Sequence, residues 1–325
     1  MVVNDQIENI VTCIFPKKEK YMFTDDMITQ LNEQLDSFFP LQHSSYVFEF
    51  RVKEDNEQVD LAIAINKKEG FDFFKQYYQS RFPKIAYLVT QFYQISNSSS
   101  NYKGLWFEID LDGDKNDKTP SIFVSLKQGN CTSNEIERYS TILDFGIEKK
   151  SRSKFIAQCI DALKGDAYIA HIGVMHSRKK AKTTRLYING LELGEIHGFL
   201  DECNWPGNKL QAVSLAEEFY DNIKYLSIAI EFNDKMKPTL GIEFHFDSKT
   251  VDYQFFVDKM LKKKMCSRKR IEMIEDIIKP DRTSYKGYSY KKSLSHFKIN
   301  ITTKGEIIPK FYVHLIPDYL GVFGF

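Results

Sequence analysis

Cysteine is sparse in this chain, and its spacing excludes most of what cysteines do. The five present in 325 residues, Cys13, Cys131, Cys159, Cys203 and Cys266, are odd in number and widely scattered, with no C-x-x-C pair. Neither a disulfide framework nor a zinc knuckle is indicated, so reduced, packing thiols are expected. Net charge is missing too: 45 Lys and Arg stand against 44 Asp and Glu, leaving +1. Such a balance carries no nucleic-acid or anionic-membrane footprint, and any anionic ligand must be met by local charge. No segment approaches the roughly eighteen apolar residues of a membrane span. The first residues show no basic run followed by an apolar stretch, so a soluble, cytoplasmic protein is expected. G-x-S-x-G, P-loop and dinucleotide-binding glycine patterns are absent as well. Low complexity is confined to residues 97–101, a serine-rich stretch with the composition of a surface loop, and no linker divides the chain.

What is present is a repeated pattern. Five pairs of β-type runs are joined by turns: 46–53 with 58–67, 104–110 with 121–127, 167–177 with 184–191, 224–232 with 239–247, and 294–302 with 308–317. Turn-forming residues sit at 53–56, at Asp112-Gly113-Asp114, at Asn233-Asp234 and at Lys304-Gly305. Stretches with helical spacing lie between pairs, as in Phe71, Phe74, Tyr77 and Tyr78, then Phe155, Ile156, Cys159 and Leu163, then Phe255, Phe256, Met260 and Leu261. An amphipathic segment over 24–38, which Thr24 and Asp25 can cap, precedes the first pair. The hairpin-plus-helix period is longer than that of common solenoid repeats, and five units suggest a closed ring. The expected fold is α+β: a closed ten-stranded antiparallel β-barrel from five ββ hairpins with helices packed outside. It forms one domain over 1–325, with an N-terminal extension and first outer helix over 1–43 and the five hairpin-helix units over 44–325.

Side chains alternate across a strand, so each run has two faces. One is apolar, as with Phe48 and Phe50, Ile228 and Ile230, or Phe311 and Val313. The other bears Glu49 and Arg51, then Asp60, Trp106, Glu108, Ser125 and Lys127. Arg185 and Tyr187 follow, then Glu231, Glu243 and His245, and finally His296, Lys298, Asn300, Lys310, Tyr312 and His314. In an open sheet such a face meets bulk water; in a closed barrel wrapped by helices it lines a lumen. Trp, Tyr, His, Asn and Arg interleaved with carboxylates differ from the Lys, Glu and Thr mixture of a solvated face, and this supports the lumen.

Three short motifs carry a resemblance: Val59-Asp60-Leu61-Ala62-Ile63-Ala64-Ile65, Thr184-Arg185-Leu186-Tyr187-Ile188 and Pro309-Lys310-Phe311-Tyr312-Val313-His314. Set within five hairpin-helix units, they make the chain similar to the aromatic prenyltransferases of the αββα-barrel type, the ABBA fold or PT barrel. The architectural likeness covers most of the chain. It implies transfer of an allylic group from a prenyl diphosphate to an aromatic acceptor, a small molecule or a Tyr or Trp of a peptide, in secondary metabolism or peptide modification. It also implies Asp60 as a Mg2+ contact, although some relatives need no metal, so the cofactor is none or Mg2+.

Ionising an allylic diphosphate requires cations and hydroxyl donors aimed at the leaving group, with aromatic faces around the carbocation. Arg51, Lys127, Arg185, Lys298 and Lys310 are the candidate cations, and Tyr187 and Tyr312 the candidate donors. Glu49 and Glu108 come first as bases for the departing ring proton, with Glu231, Glu243, His171 and His245 behind them. Trp106, Glu231, Glu243 and His245 are assigned to the acceptor pocket. The chain departs from the family's cationic lumen in its fourth hairpin, which offers Glu231, Glu243 and His245. It departs again in the second, where Lys127 stands alone at a strand end.

Other readings stay open. A barrel of this shape can hold a ligand without turnover, as a binding or scaffold protein in a peptide-tailoring or secondary-metabolite pathway. A cysteine-dependent transferase or hydrolase would use Cys131 or Cys203 with a histidine, though no signature accompanies either thiol. The acidic run from Asp110 to Asp117 has calcium-loop spacing, but Lys115 and Ser121 replace the required Gly and Glu, so a hairpin turn is expected. His171 and His176 fall on opposite faces of one strand, which argues against a shared metal. The cluster of Lys262, Lys263, Lys264, Arg268, Lys269 and Arg270 has the pattern of a solvated helix face, with docking of an acidic leader peptide as the minor alternative.

Overall fold

The structure, a computed structural model, describes residues 45–52, 59–65, 83–96, 102–110, 119–129, 132–143, 149–176, 183–246, 253–278, 281–285 and 288–317, together with 29, 30 and 33. Several expectations lie outside these residues: most of the 24–38 segment, the turns at 53–56 and 112–114, the stretch from Phe71 to Tyr78, the 97–101 loop, Cys13 and Cys131.

Eleven strands are described: β1 Ser45–Arg51, β2 Val59–Ile65, β3 Tyr102–Ile109, β4 Ser121–Leu126, β5 Tyr168–Val174, β6 Thr184–Asn189, β7 Tyr225–Phe232, β8 Met236–His245, β9 Asp281–Tyr285, β10 Tyr288–Ile301 and β11 Ile307–Pro317. Each of β1 to β7 pairs antiparallel with its successor, β8 pairs with β10, β10 with β11, and β11 returns to β1. The register Glu49 with Tyr312 and Arg51 with Lys310 closes the ring. Ten strands therefore form a closed barrel without open edges.

The ten runs in hairpin order are those expected from the sequence, with three differences, one being that β10 begins at Tyr288 instead of 294. Strand β9 is an eleventh, paired only with the first half of β10. Its sequence, Asp-Arg-Thr-Ser-Tyr, has no apolar face and so no period to detect. Strand β8 begins at Met236 instead of 239 and contains Pro238. Proline is tolerated there because β10 pairs only with Leu240 to His245, so the missing N–H faces no β10 partner.

The described helices are α1 Pro83–Ser96, α2 Ser133–Leu143, α3 Lys149–Asp161, α4 Ile196–Glu202, α5 Lys209–Phe219, α6 Gln254–Lys262 and α7 Arg268–Ile278. They lie outside the barrel. Local chemistry starts them: Thr132 and Glu135 exchange hydrogen bonds as a capping box before α2, and Asn208 Oδ1 accepts from Gln211 N before α5. None of the described helices is long and apolar enough to cross a membrane.

The core is a shell between barrel and helices. Phe48, Leu61, Phe107, Leu186, Ile242 and Phe297 on the outward strand faces are completely buried. Phe256 of α6 stacks on Phe297 at 4.5 Å, and Phe219 of α5 meets Phe244 at 5.8 Å. Each such side chain contributes about 1.5–3 kcal/mol by leaving water. A slip of one residue in any strand would exchange its two faces, so this shell fixes which side chains point inward. Arg270 of α7 adds a polar anchor, donating to the Arg51 carbonyl at 2.8 Å.

Candidate active site

Inside the ring, register places polar residues in rows. Glu243, Lys298, Lys310 and Arg51 are successive neighbours across β8, β10, β11 and β1. The adjacent row runs His245, His296, Tyr312, Glu49 and Asp60. In one cluster, Lys310 Nζ and Tyr312 Oη both donate to the Glu49 carboxylate. Arg51 Nη2 lies 3.2 Å from Asp60 Oδ2, and its Nε 3.7 Å from Glu49 Oε1. In a second cluster, Lys298 Nζ donates to Glu243 Oε1 at 2.9 Å and to Tyr187 Oη at 3.1 Å. Arg185 donates to Glu231 Oε1 through Nε at 2.8 Å and to Tyr187 Oη through Nη1 at 3.2 Å. The Tyr187 oxygen thus receives two cations, and Lys298 Nζ also stands 4.7 Å from its ring centre.

Aromatic rings join the clusters. Tyr225, His245, His296 and Tyr312 form a continuous ladder with centroid separations of 4.3, 4.8 and 4.1 Å. Ser227 Oγ is 3.1 Å from His245 Nε2. Beyond Tyr187, His171 and Phe123 present edge contacts at 5.6 and 6.0 Å, and Ser125 Oγ holds His171 Nδ1 at 2.8 Å.

No family model matches the chain, and no curated protein matches it in sequence. Solved structures match it in shape. The prenyltransferase PriB in its binary complex with product diphosphate aligns at TM-score 0.59 and 10% identity, over 96% of each chain. The 5-dimethylallyltryptophan synthase from Streptomyces coelicolor gives 0.59 and 8%, over 96% of this chain and 97% of its own. The 6-dimethylallyltryptophan synthase from Micromonospora olivasterospora, in complex with DMASPP and Trp, gives 0.56 and 11%, over 97% of each. This chain has the ABBA barrel fold. Identities near one in ten speak to the fold alone, and what the ABBA lumen does here rests on its own residues.

Electrostatics divides the carboxyls of this ABBA barrel. Burial would raise Glu49, but Lys310 and Arg51, with hydrogen bonds from Lys310 and Tyr312, outweigh it and hold the carboxyl well below its usual range. Glu243 is likewise buried yet held well down, above all by the Lys298 ammonium. Asp60 goes the other way: burial, then Glu49 and Asp110, push it well up against the pull of Lys310 and Arg51. Burial keeps His296 neutral down to about 3 and His171 down to about 4. Lys298 and Arg185 stay charged, because Glu243 and Glu231 outweigh the cost of their burial.

The barrel brings Arg51, Arg185, Tyr187, Lys298, Lys310 and Tyr312 into one lumen with Glu49 and Asp60. Trp106 and Glu108 are half-buried on the inward face of β3. Glu231 and Glu243 hold Arg185 and Lys298, and His245 sits in the ring ladder. Lys127 is exposed just beyond the end of β4 and stands apart from these clusters. His176 is buried elsewhere, with Nε2 3.0 Å from the Leu143 carbonyl.

Asp60 is poorly suited to Mg2+. Its carboxyl already meets Arg51, with Lys310 nearby, so a divalent cation would be pressed against two cations. Among the described residues no group of three His, Cys, Asp or Glu is placed to hold a metal. His296, Ser125, Ser227, Tyr225 and Phe123 belong to the chamber wall without having been assigned roles from sequence. Their period-two placement was visible, but the stacking that makes them one wall depends on register between strands distant in the chain.

Proposed function

We propose that this protein is an aromatic prenyltransferase. The observation that carries the reading is the convergence of Arg185, Lys298 and Tyr187 Oη within one enclosed lumen, next to a second cluster built on Lys310, Tyr312 and Glu49. In the reaction, the allylic C–O bond breaks and its electron pair leaves with the diphosphate. Arg185 and Lys298 stabilise that leaving charge, and Tyr187 donates to it once its own acceptor role toward the cations is taken over by phosphate oxygens. Tyr187, Tyr312, Phe123 and Trp106 face the allylic cation and keep water from capturing it. An aromatic carbon of the acceptor then forms the new C–C bond, and the ring proton leaves to a carboxylate. Glu49, held ionised, orients the acceptor and is the first candidate to take that proton, with Glu108 second. The ligands bound in two of the similar structures, a product diphosphate in PriB and DMASPP with Trp in the 6-dimethylallyltryptophan synthase, support donor and acceptor classes of this kind. The acceptor is an aromatic small molecule or a Tyr or Trp side chain of a peptide.

A second reading has its own observation. Arg51, Arg185, Lys298 and Lys310 each already touch a carboxylate, which suits a barrel that binds a neutral or zwitterionic ligand without turnover. One screen decides between them: thermal shift and mass spectrometry with dimethylallyl, geranyl and farnesyl diphosphates against aromatic compounds and Tyr- or Trp-containing peptides. The transferase predicts stabilisation by a diphosphate and a product heavier by one prenyl unit. Stabilisation by acceptors alone, with no product, selects the binding barrel.

A further inference from the structure

The lumen holds more carboxyl groups than lysines and arginines. Among the described residues, Arg51, Arg185, Lys298 and Lys310 supply its cations, whereas Glu49, Asp60, Glu108, Asp110, Glu231 and Glu243 face or border the same space. Arg185 and Lys298, the two cations on Tyr187, are the ones a leaving diphosphate would meet, and both are bonded to a glutamate. Glu231 lies directly across from Arg185 in the pairing of β6 with β7, and Glu243 across from Lys298 in the pairing of β8 with β10. These are built contacts, set by backbone register.

A polyanion arriving at Tyr187 is therefore attracted by two cations and repelled by two carboxylates at similar distances. The attraction is already spent on the glutamates, and the low-dielectric interior enlarges both effects. We propose that Glu231 and Glu243 are specificity-determining counter-ions, holding Arg185 and Lys298 on Tyr187 in the empty chamber and weakening its hold on diphosphate. A donor is then admitted through its prenyl tail and not for its charge. Free diphosphate and other small polyanions compete poorly, and diphosphate is expelled once the tail has been transferred. This rests on the transferase reading for its consequence, though the affinity effect stands on the charges alone.

The test is calorimetric titration of the full chain with inorganic diphosphate, comparing the unaltered protein with Glu231→Gln and Glu243→Gln. Each amide keeps the shape and deletes one repulsion, so each is expected to bind diphosphate about tenfold tighter or more, with a steeper loss of affinity in salt. Equal or weaker binding overturns the proposal, since a purely structural role for the glutamates predicts loss and never gain. If the amide variants do not fold, Glu231→Gln combined with Arg185→Gln, which removes a whole pair, decides the matter: diphosphate affinity near that of the unaltered protein supports the proposal, and a tenfold or larger loss overturns it. Product formation is followed separately. Tighter diphosphate binding with no prenylated product in any variant upholds the counter-ions and sinks the transferase; product from the unaltered chain with no gain in affinity does the reverse.

Discussion

Lys298 reaches across the lumen to Tyr187, its Nζ donating to the phenol oxygen at 3.1 Å from 111 residues further along the chain. Arg185 donates to the same oxygen. Tyr187→Phe removes the shared oxygen and keeps the ring, so it separates hydrogen bonding from aromatic shielding. The expected result is a loss of about 10²- to 10³-fold in kcat with little change in acceptor KM, the scale for deleting one preorganised donor. Steady-state transfer from dimethylallyl diphosphate measures it; an unchanged kcat would remove Tyr187 from the leaving-group site.

The Lys310 and Glu49 pair makes a stability prediction. Both are buried, and deleting the ammonium leaves the carboxylate only the Tyr312 hydroxyl and the more distant Arg51. Lys310→Met should destabilise the fold by about 3–5 kcal/mol, the cost of stranding a buried charge. Glu49→Gln combined with Lys310→Met should recover most of that loss, because no charge is then left alone. Urea unfolding of the two single variants and the double variant gives the coupling directly.

Acid should weaken the fold before the carboxylates titrate. His171 and His314 titrate at about 4 and His296 at about 3 when folded, burial being the first cause in each, against 6.5 when free. Below 6.5 the unfolded chain takes up protons that the folded chain refuses. Stability is therefore full above pH 6.5 and falls as the pH drops toward 4, by at most about 4 kcal/mol per pH unit if all three histidines contribute fully. Among the described residues His314 Nε2 has no hydrogen-bond partner, so His314→Asn should disturb little else and should make that slope shallower by about one proton. Denaturant midpoints across this window check it.

The ring was legible because each strand repeats one signal. Phe48 and Phe50, Ile228 and Ile230, and Phe311 and Val313 alternate with polar residues, and that alternation is decided locally by burial against the outer helices. Strand β9 escaped because its sequence, Asp-Arg-Thr-Ser-Tyr, has no apolar alternation, and the start of β8 because Pro238 usually marks a strand's end. The lumen was legible as a list of inward side chains and not as a set of bonds. That Glu231 meets Arg185 and Glu243 meets Lys298 is fixed by register across β6, β7, β8 and β10, which no local pattern encodes. Glutamates assigned to the acceptor pocket on chemistry alone thus stand beside the cations assigned to the diphosphate. The same limit hid His296, whose neighbours in the ring ladder come from β8 and β11.

Gly241 offers a way to move Lys298 without touching it. A Cβ built on Gly241 would come within 2.6 Å of Lys298 Cε, 3.1 Å of Asn300 Oδ1 and 3.2 Å of Ala229 Cβ. The closest atom belongs to a flexible stem, so Gly241→Ala should be accommodated by displacing the lysine, at a cost within the about 1–3 kcal/mol typical of an inserted methyl. Displaced, Lys298 Nζ loses its position on Tyr187, and transfer should fall. Gly173→Ala on β5 is the contrast, because its Cβ would stand 2.0 Å from the Phe123 ring, a rigid group with no stem to bend. That variant should lose more stability than Gly241→Ala while leaving the bonds of Lys298 in place. If Gly241 acts through Lys298 and Tyr187, adding Gly241→Ala to Tyr187→Phe should cost little further activity, since variants that disable one unit do not add. Additive losses in that double variant would mean that Gly241 serves the chamber by another route.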